Sequence, residues 1–194
     1  MTWLLVCDNF TIKVNGPNMD FVETMKLSLH TQIIFLFTVV FSSSVFPAGD
    51  ALIGQITRSD LENSAHKIWF NQNYESHVVD IETTKKAEAF LADVSITIFM
   101  GTWCHDSQRE VPALLKILDQ IPFNQDQLKI IGLSMTKDTP KKLEEGFDIR
   151  RTPTFVFSRN GKEIGRYVER PRVGLEQDLL KIVSGSGYRH TYAE

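Results

Sequence analysis

The chemistry in this sequence gathers in two short stretches, Gly101-Thr-Trp-Cys-His-Asp-Ser107 and Arg150-Arg-Thr-Pro-Thr154. Cys104 is a candidate nucleophile, because a sulfur beside the unpaired amides at the start of a helix is favoured in its reactive, ionised form. His105 next to it is a cation when protonated and a bystander otherwise. Asp106 and Ser107 read as first-turn residues that satisfy amides and complement the helix dipole, and Asp106 also opposes a sulfur anion by charge. Trp103 either shields the sulfur, offers a platform to a peptide, or covers the core. Pro153 follows Thr152 at the start of a strand, where a missing amide is tolerated, and a proline there admits a cis bond. Arg150 and Arg151 either attract anionic thiols or form an ordinary solvated loop pair.

These residues need elements to hold them. An apolar strand, Ser95 to Met100, runs into the cysteine stretch, and a helix from Cys104 to about Gln120 leaves it with Val111, Leu114, Leu115 and Leu118 on one face. Pro112 lies inside that helix and predicts a kink. Upstream, Ser59-Asp-Leu-Glu62 reads as a capping box that opens a helix to about Phe70, followed by a strand at His77 to Ile81 and a helix near Thr84 to Ala92. Downstream come a strand at Lys129 to Met135, a short helix near Pro140 to Gly146, and two strands joined by Asn160-Gly161, a strong hairpin signal. A last helix follows Gly174, with Leu175, Leu179, Ile182 and Val183 on one face, and the Ser/Gly-rich tail from Ser184 reads as mobile. The order is a lead helix and then βαβαβαββα, an α/β pattern that implies parallel strands with crossover helices.

Composition narrows the function. The 194 residues are 42% hydrophobic and 23% charged, which suits one domain, and 21 Lys+Arg against 24 Asp+Glu leave no basic surplus for a phosphate backbone. Nucleic acid is therefore excluded as a partner. Cys7 and Cys104 have no second cysteine at zinc-ligand spacing. His66, His77 and His190 show no ligand spacing either and read as surface histidines, and Cys104 with His105 is too small a set for copper. No metal and no cofactor are expected.

The first 48 residues read as something other than the domain. From Met25, Lys26 supplies a positive start, Ile33 to Phe41 an apolar core, and small residues follow, the pattern of a secretory signal. That core is about half of the roughly 20 residues a membrane-spanning helix needs. Residues 25–48 are thus expected to be a signal peptide, cleaved after Ser44 or Ala48, and 1–24 an upstream extension if Met25 is the true start. The domain occupies 49–194. Signal cleavage leaves no membrane anchor and places the domain outside the cytoplasm, in the periplasm or secreted, with Cys104 as its thiol.

Several of these features together resemble the thioredoxin superfamily: Trp103-Cys104 opening a helix, proline eight positions later, Ile149 to Thr154 resembling a cis-proline loop, and the βαβαβαββα order over about residues 75–184. GTWCHDSQREVP is similar to a group of exported bacterial thioredoxin-like proteins with a W-C-x-D-S form of the motif. The resemblance implies a thioredoxin-like fold, Cys104 as the attacking sulfur, and Thr152 beside Pro153 as the backbone edge that pairs with an extended substrate. Its partners would be protein or small-molecule thiols and disulfides. Two departures stand out. Ser107 replaces the second, resolving cysteine, so a mixed disulfide on Cys104 needs an external thiol; and the buried proton-relaying carboxylate of thioredoxins falls at Ile98. The competing expectation is a non-catalytic binding module that kept the fold and lost redox turnover.

Overall fold

The computed structural model describes residues 6–8, 11–13 and 51–193. The expected signal peptide, 25–48, lies outside the described residues, as does most of the stretch 1–24. Within that stretch β1 (Val6–Asp8) pairs antiparallel with β2 (Thr11–Lys13). The chain divides into two units, Met1–Pro47 and Ala48–Glu194, and the second carries all that follows.

Its centre is β4 (Val94–Met100), which buries Val94, Ile96, Ile98 and Met100 on one face and Phe99 on the other, with Thr97 half-buried and Ser95 exposed. One flank pairs parallel with β5 (Leu128–Gly132) and the other antiparallel with β6 (Thr154–Arg159). Outside them lie β3 (Gly54–Ile56), antiparallel to β5, and β7 (Lys162–Val168), antiparallel to β6, for the order β3-β5-β4-β6-β7. The helices are α1 (Arg58–Glu62), α2 (Lys67–Ser76), α3 (Ile81–Glu88), α4 (His105–Leu118) and α5 (Leu175–Val183). Successive strand residues point to opposite faces. Ile96, Ile98 and Met100 therefore join Leu114, Phe155, Phe157 and Leu179 in the main core, while Phe99 packs with Ile131, Leu133 and Val156 in a smaller cluster under Leu143, Phe147 and Ile149. The β6–β7 hairpin turns at Asn160 and Gly161, both in the left-handed region (φ 50° and 73°), as a tight two-residue turn requires.

The mixed α/β sheet is the expected fold class, but several elements differ from the sequence reading. The capping box is Thr57 with Asp60, two residues earlier than Ser59 with Glu62, because the Asp60 carboxylate takes the Thr57 amide while Thr57 takes that of Asp60. The expected helix to Phe70 is broken after Asn63, whose side chain folds back onto the Ser59 carbonyl at 3.1 Å. No strand forms at His77 to Ile81. There the backbone is engaged by helix ends: Lys116 Nζ donates to the His77 carbonyl at 2.8 Å, Asp80 caps α3 through the Thr83 amide, and Glu176 takes the Asp80 amide. α3 accordingly starts at Ile81, earlier than expected, and the sheet's outer strand is β3, which precedes the helices. The helix expected at Pro140 to Gly146 is a series of turns, since Lys142 (φ 54°) and Gly146 (φ 85°) adopt left-handed conformations that no α-helix contains. Nor are two of the histidines surface residues: His66 is buried at the start of α2, and His77 pairs with Glu176.

The tail is not loose either. Tyr188 donates to Asp178 at 3.0 Å, Thr191 to the Arg170 carbonyl at 3.2 Å, and the Tyr192 ring lies 3.9 Å from the Arg151 guanidinium.

Glu176 joins the helical layer across a long sequence separation. Its Oε1 meets His77 Nε2 at 2.9 Å and accepts from the Asp80 amide at 3.2 Å. Burial alone would raise this carboxyl, yet the hydrogen bonds from His77 and the backbone outweigh it and hold Glu176 below the usual glutamate range. A depressed native value stabilises the fold above the unfolded pKa, and that contribution is lost as pH falls through the native value. Glu176→Gln is expected to cost about 1.5–3 kcal/mol at neutral pH. In urea unfolding, the gap between wild type and variant should shrink as pH is lowered from about 6 towards about 3; a constant gap would mean that the loss is one of packing.

Candidate functional site

Strand β4 delivers the chain to the site and α4 carries it away. At the join, Cys104 is the cap residue of α4, with its carbonyl accepting from the Gln108 amide at 2.9 Å and its own amide closing a turn onto the Gly101 carbonyl at 3.0 Å. Ser107 is fully buried and its Oγ accepts from the Gly101 amide at 3.2 Å, so the first helical turn is latched to the end of the strand. Gly101 must be glycine, because a Cβ there would come within 2.5 Å of the Trp103 indole. Trp103 in turn donates from Nε1 to the Leu133 carbonyl at 3.0 Å, which fixes the ring across the end of β5.

The second stretch comes to the first. The Thr152–Pro153 peptide bond is cis, and Cys104 Sγ donates to the Thr152 carbonyl at 3.2 Å. Thr152 is buried, while Cys104 stays partly accessible. On the far side, the Glu169 amide donates to the Pro153 carbonyl at 2.7 Å and Thr154 Oγ1 to the Arg151 carbonyl at 2.7 Å. Among the described residues, the Thr152 amide has no hydrogen-bond partner.

The other residues singled out by sequence fall around this contact. His105 is exposed in the first turn of α4. Asp106 was expected to satisfy backbone amides; it pairs instead with Arg109 Nη2 at 2.7 Å, the more favourable arrangement for a carboxylate that has a cation one turn ahead. Ser107 does satisfy an amide, but that of Gly101, upstream of the helix. Ile98 is wholly buried in the main core. A buried carboxylate does occur on α4, at Glu110, which pairs with Arg109 at 2.6 Å. It neighbours the Tyr167 phenol, which burial and then the Glu110 charge push well above its usual range. Arg150 pairs with Asp148, and Arg151 with Glu169. Among the described residues, no group of three or more His, Cys, Asp or Glu is placed to hold a metal ion, and no helix is long and apolar enough to cross a membrane.

Sequence reasoning missed Thr102, Gln108 and the tail. Thr102 is buried, takes the Leu52 amide on its Oγ1 at 3.2 Å and the Gln108 side chain on its carbonyl at 2.8 Å, and so ties the cysteine loop to both neighbours. A polar residue next to a glycine carries no such signal in sequence.

The latch can be tested directly. Ser107→Ala leaves the buried Gly101 amide without an acceptor and is expected to lower stability by about 1–3 kcal/mol, read as a lower urea midpoint at unchanged slope. An unmoved midpoint would show that the amide is satisfied some other way.

Known proteins agree with this architecture. A family model described as Thioredoxin matches residues 58–180. Thioredoxin H-type 1 of Nicotiana tabacum is 29% identical over 83 residues, 43% of this chain and 61% of the tobacco protein, so the chain spans about three fifths of that relative. Putative thioredoxin-5 of Dictyostelium discoideum is 29% identical over 102 residues, 53% of this chain and 93% of that protein. A thioredoxin-like protein of Acanthamoeba polyphaga mimivirus is 26% identical over 115 residues, 57% of this chain and 81% of the viral one. In fold, a crystal structure of a Pseudomonas aeruginosa protein of unknown function superposes with a TM-score of 0.52 at 16% identity, covering 70% of this chain and 95% of that one. With the family match extending over more than half the sequence and a cysteine-capped helix facing a cis-proline loop, the chain belongs to the thioredoxin family.

Proposed function

We propose that this protein is an exported thiol-disulfide oxidoreductase that works with one reactive sulfur, Cys104. The observation that carries the reading is the 3.2 Å approach of Cys104 Sγ to the Thr152 carbonyl, at the start of a helix and beside Pro153. A thiol so placed is accessible, held in one position, and aimed at the backbone edge where an extended substrate would lie. The unpartnered Thr152 amide supplies a donor for that strand-like pairing. The names of the relatives support the same reaction class.

In the proposed cycle Cys104 loses its proton to solvent and attacks one sulfur of a substrate disulfide. A bond forms between Cys104 and that sulfur, the substrate S–S bond breaks, and the departing sulfur takes a proton. Cys104 is oxidised to a mixed disulfide and the leaving thiol is reduced. A second cysteine would normally release the adduct from within; Ser107 stands there, buried and bonded to Gly101. Release therefore falls to an external thiol, a small molecule or a partner protein, which attacks the Cys104 sulfur or its partner. With Ile98 in place of a carboxylate, no side chain at that position donates the proton, and solvent supplies it. Export rests on the sequence features of residues 25–48: the Lys26 charge, the short apolar core and the small residues after it.

The expected behaviour is specific. Wild-type protein should hold a mixed disulfide with a model peptide until external thiol is added. Ser107→Cys, one turn from Cys104 on the same helix, should release the peptide and form an internal disulfide. Mass spectrometry of the adducts under non-reducing conditions reads both. If native Cys104 resists alkylation across about pH 6 to 9 while the unfolded protein reacts freely, the oxidoreductase reading falls and a non-catalytic binding module takes its place.

A further inference from the structure

Thr152 and Pro153 precede β6 and lie outside its ladder, so neighbouring groups must hold them. On the side before them, the Arg151 carbonyl accepts from Thr154 Oγ1 at 2.7 Å, and Arg151 Nη1 donates to the Glu169 carboxylate at 3.1 Å. On the side after them, the Pro153 carbonyl accepts from the Glu169 amide at 2.7 Å. Glu169 thus grips both ends of the edge, one through its side chain and the other through its backbone. It does so in a left-handed conformation (φ 63°) that residues with side chains rarely adopt, so the loop around it needs support from outside.

The tail gives that support. Thr191 Oγ1 donates to the Arg170 carbonyl at 3.2 Å and Arg172 Nη1 to the Arg189 carbonyl at 3.1 Å, so residues 189–191 lie along the loop 169–172. The tail's own turn is closed by the Ala193 amide on the His190 carbonyl at 3.0 Å and by the Tyr192 amide on His190 Nδ1 at 3.2 Å, which sets the Tyr192 backbone. Its ring lies 3.9 Å from the Arg151 guanidinium carbon and 5.6 Å from that of Arg170. A guanidinium over an aromatic face is attracted by the ring's charge distribution and gives up freedom on contact. Arg151 is covalently joined to Thr152, whose carbonyl receives Cys104 Sγ at 3.2 Å, so the tail reaches the sulfur's contact through two residues. Tyr192 also lies beyond the family-matched stretch 58–180.

We propose that Tyr192 is a positioning residue for peptide substrates: by holding the Arg151 guanidinium it fixes the Thr152 edge against which an extended chain pairs, and it touches neither the peptide nor the sulfur. The proposal rests on the oxidoreductase reading above and assigns the tail a part in peptide binding.

The test uses the full chain and three disulfides that release the same chromophore: a cysteine peptide joined to 2-thiopyridine, the same peptide N-methylated on the backbone around its cysteine, and 2,2′-dithiodipyridine. Cys104 attacks one sulfur, a new S–S bond joins it to the peptide or to one pyridine, and thiopyridone leaves with the electron pair and a proton, so its absorbance reports the rate. Tyr192→Ala should raise the half-saturating concentration of the plain peptide about two- to fivefold, the range of an exposed cation–ring contact. The other two disulfides cannot pair with the edge, and their rates should not change. Tyr192→Phe keeps the ring and should restore the wild-type value, and in an Arg151→Gln background Tyr192→Ala should add nothing. The ring is partly exposed on the tail, and circular dichroism checks that each variant is folded. Unchanged peptide kinetics in Tyr192→Ala, an equal loss with all three disulfides, no rescue by Tyr192→Phe, or a loss that persists in the Arg151→Gln background would each overturn the proposal and leave the oxidoreductase reading standing. No reaction of the native wild type with any of the three, while the unfolded chain reacts, would overturn both.

Discussion

Pairing of β4 along both of its edges is the constraint on which the rest of this molecule hangs. Val94–Met100 pairs along both edges and buries Val94, Ile96, Ile98 and Met100 on one face and Phe99 on the other, where Thr97 is half-buried and Ser95 exposed. Its two partners differ in direction, parallel β5 and antiparallel β6, and that difference creates the site. The parallel neighbour demands a crossover helix, which is α4 with Cys104 at its start; the antiparallel neighbour begins at the same end of the sheet, which brings Thr152 and Pro153 alongside. The cysteine and the proline loop meet because both are tied to the C-terminal end of one buried strand.

Rigidity at that end comes from backbone groups rather than from charge. Ser107 closes on the Gly101 amide, Trp103 on the Leu133 carbonyl, Gln108 on the Thr102 carbonyl. Each is a hydrogen bond between the cysteine loop and something already fixed by the sheet or the helix, so the sulfur inherits the order of both. The charged residues nearby arrange themselves locally: Asp106 with Arg109, Arg109 with Glu110. They leave His105 exposed in the first turn. Around the proline loop charge has a different place, because Arg151, Glu169 and Tyr192 bind the tail to two loops that flank the site.

The same comparison explains how Ser107 and Ile98 fit this fold. A serine at the one-turn position keeps a hydrogen bond that a thiol would make only weakly, and Ile98 completes the packing of Leu114 and Phe155 in a region where a carboxylate would be buried. Both substitutions suit a well-packed end of the sheet.

What the sequence determined by itself is the part of the protein ruled by local rules. β4 was legible from its apolar run, α4 from its spacing, the hairpin from Asn160-Gly161, α5 from Leu175 and Leu179, and the pairing of Trp103-Cys104 with Thr152-Pro153 from a resemblance carried by both stretches. Tertiary structure decided whatever depended on distant partners. His77 to Ile81 has the composition of a strand, but Lys116 and Glu176, remote in sequence, engage its backbone instead. Pro140 to Gly146 has helical spacing, but its left-handed residues belong to turns that lay Leu143 and Phe147 over Phe99. The tail carries a Ser/Gly composition that reads as loose, yet Tyr188 and Tyr192 find Asp178 and Arg151. Periodicity and capping report a residue's near neighbours along the chain; the free energy that settles a short or ambiguous segment comes from contacts that only the folded chain brings within reach.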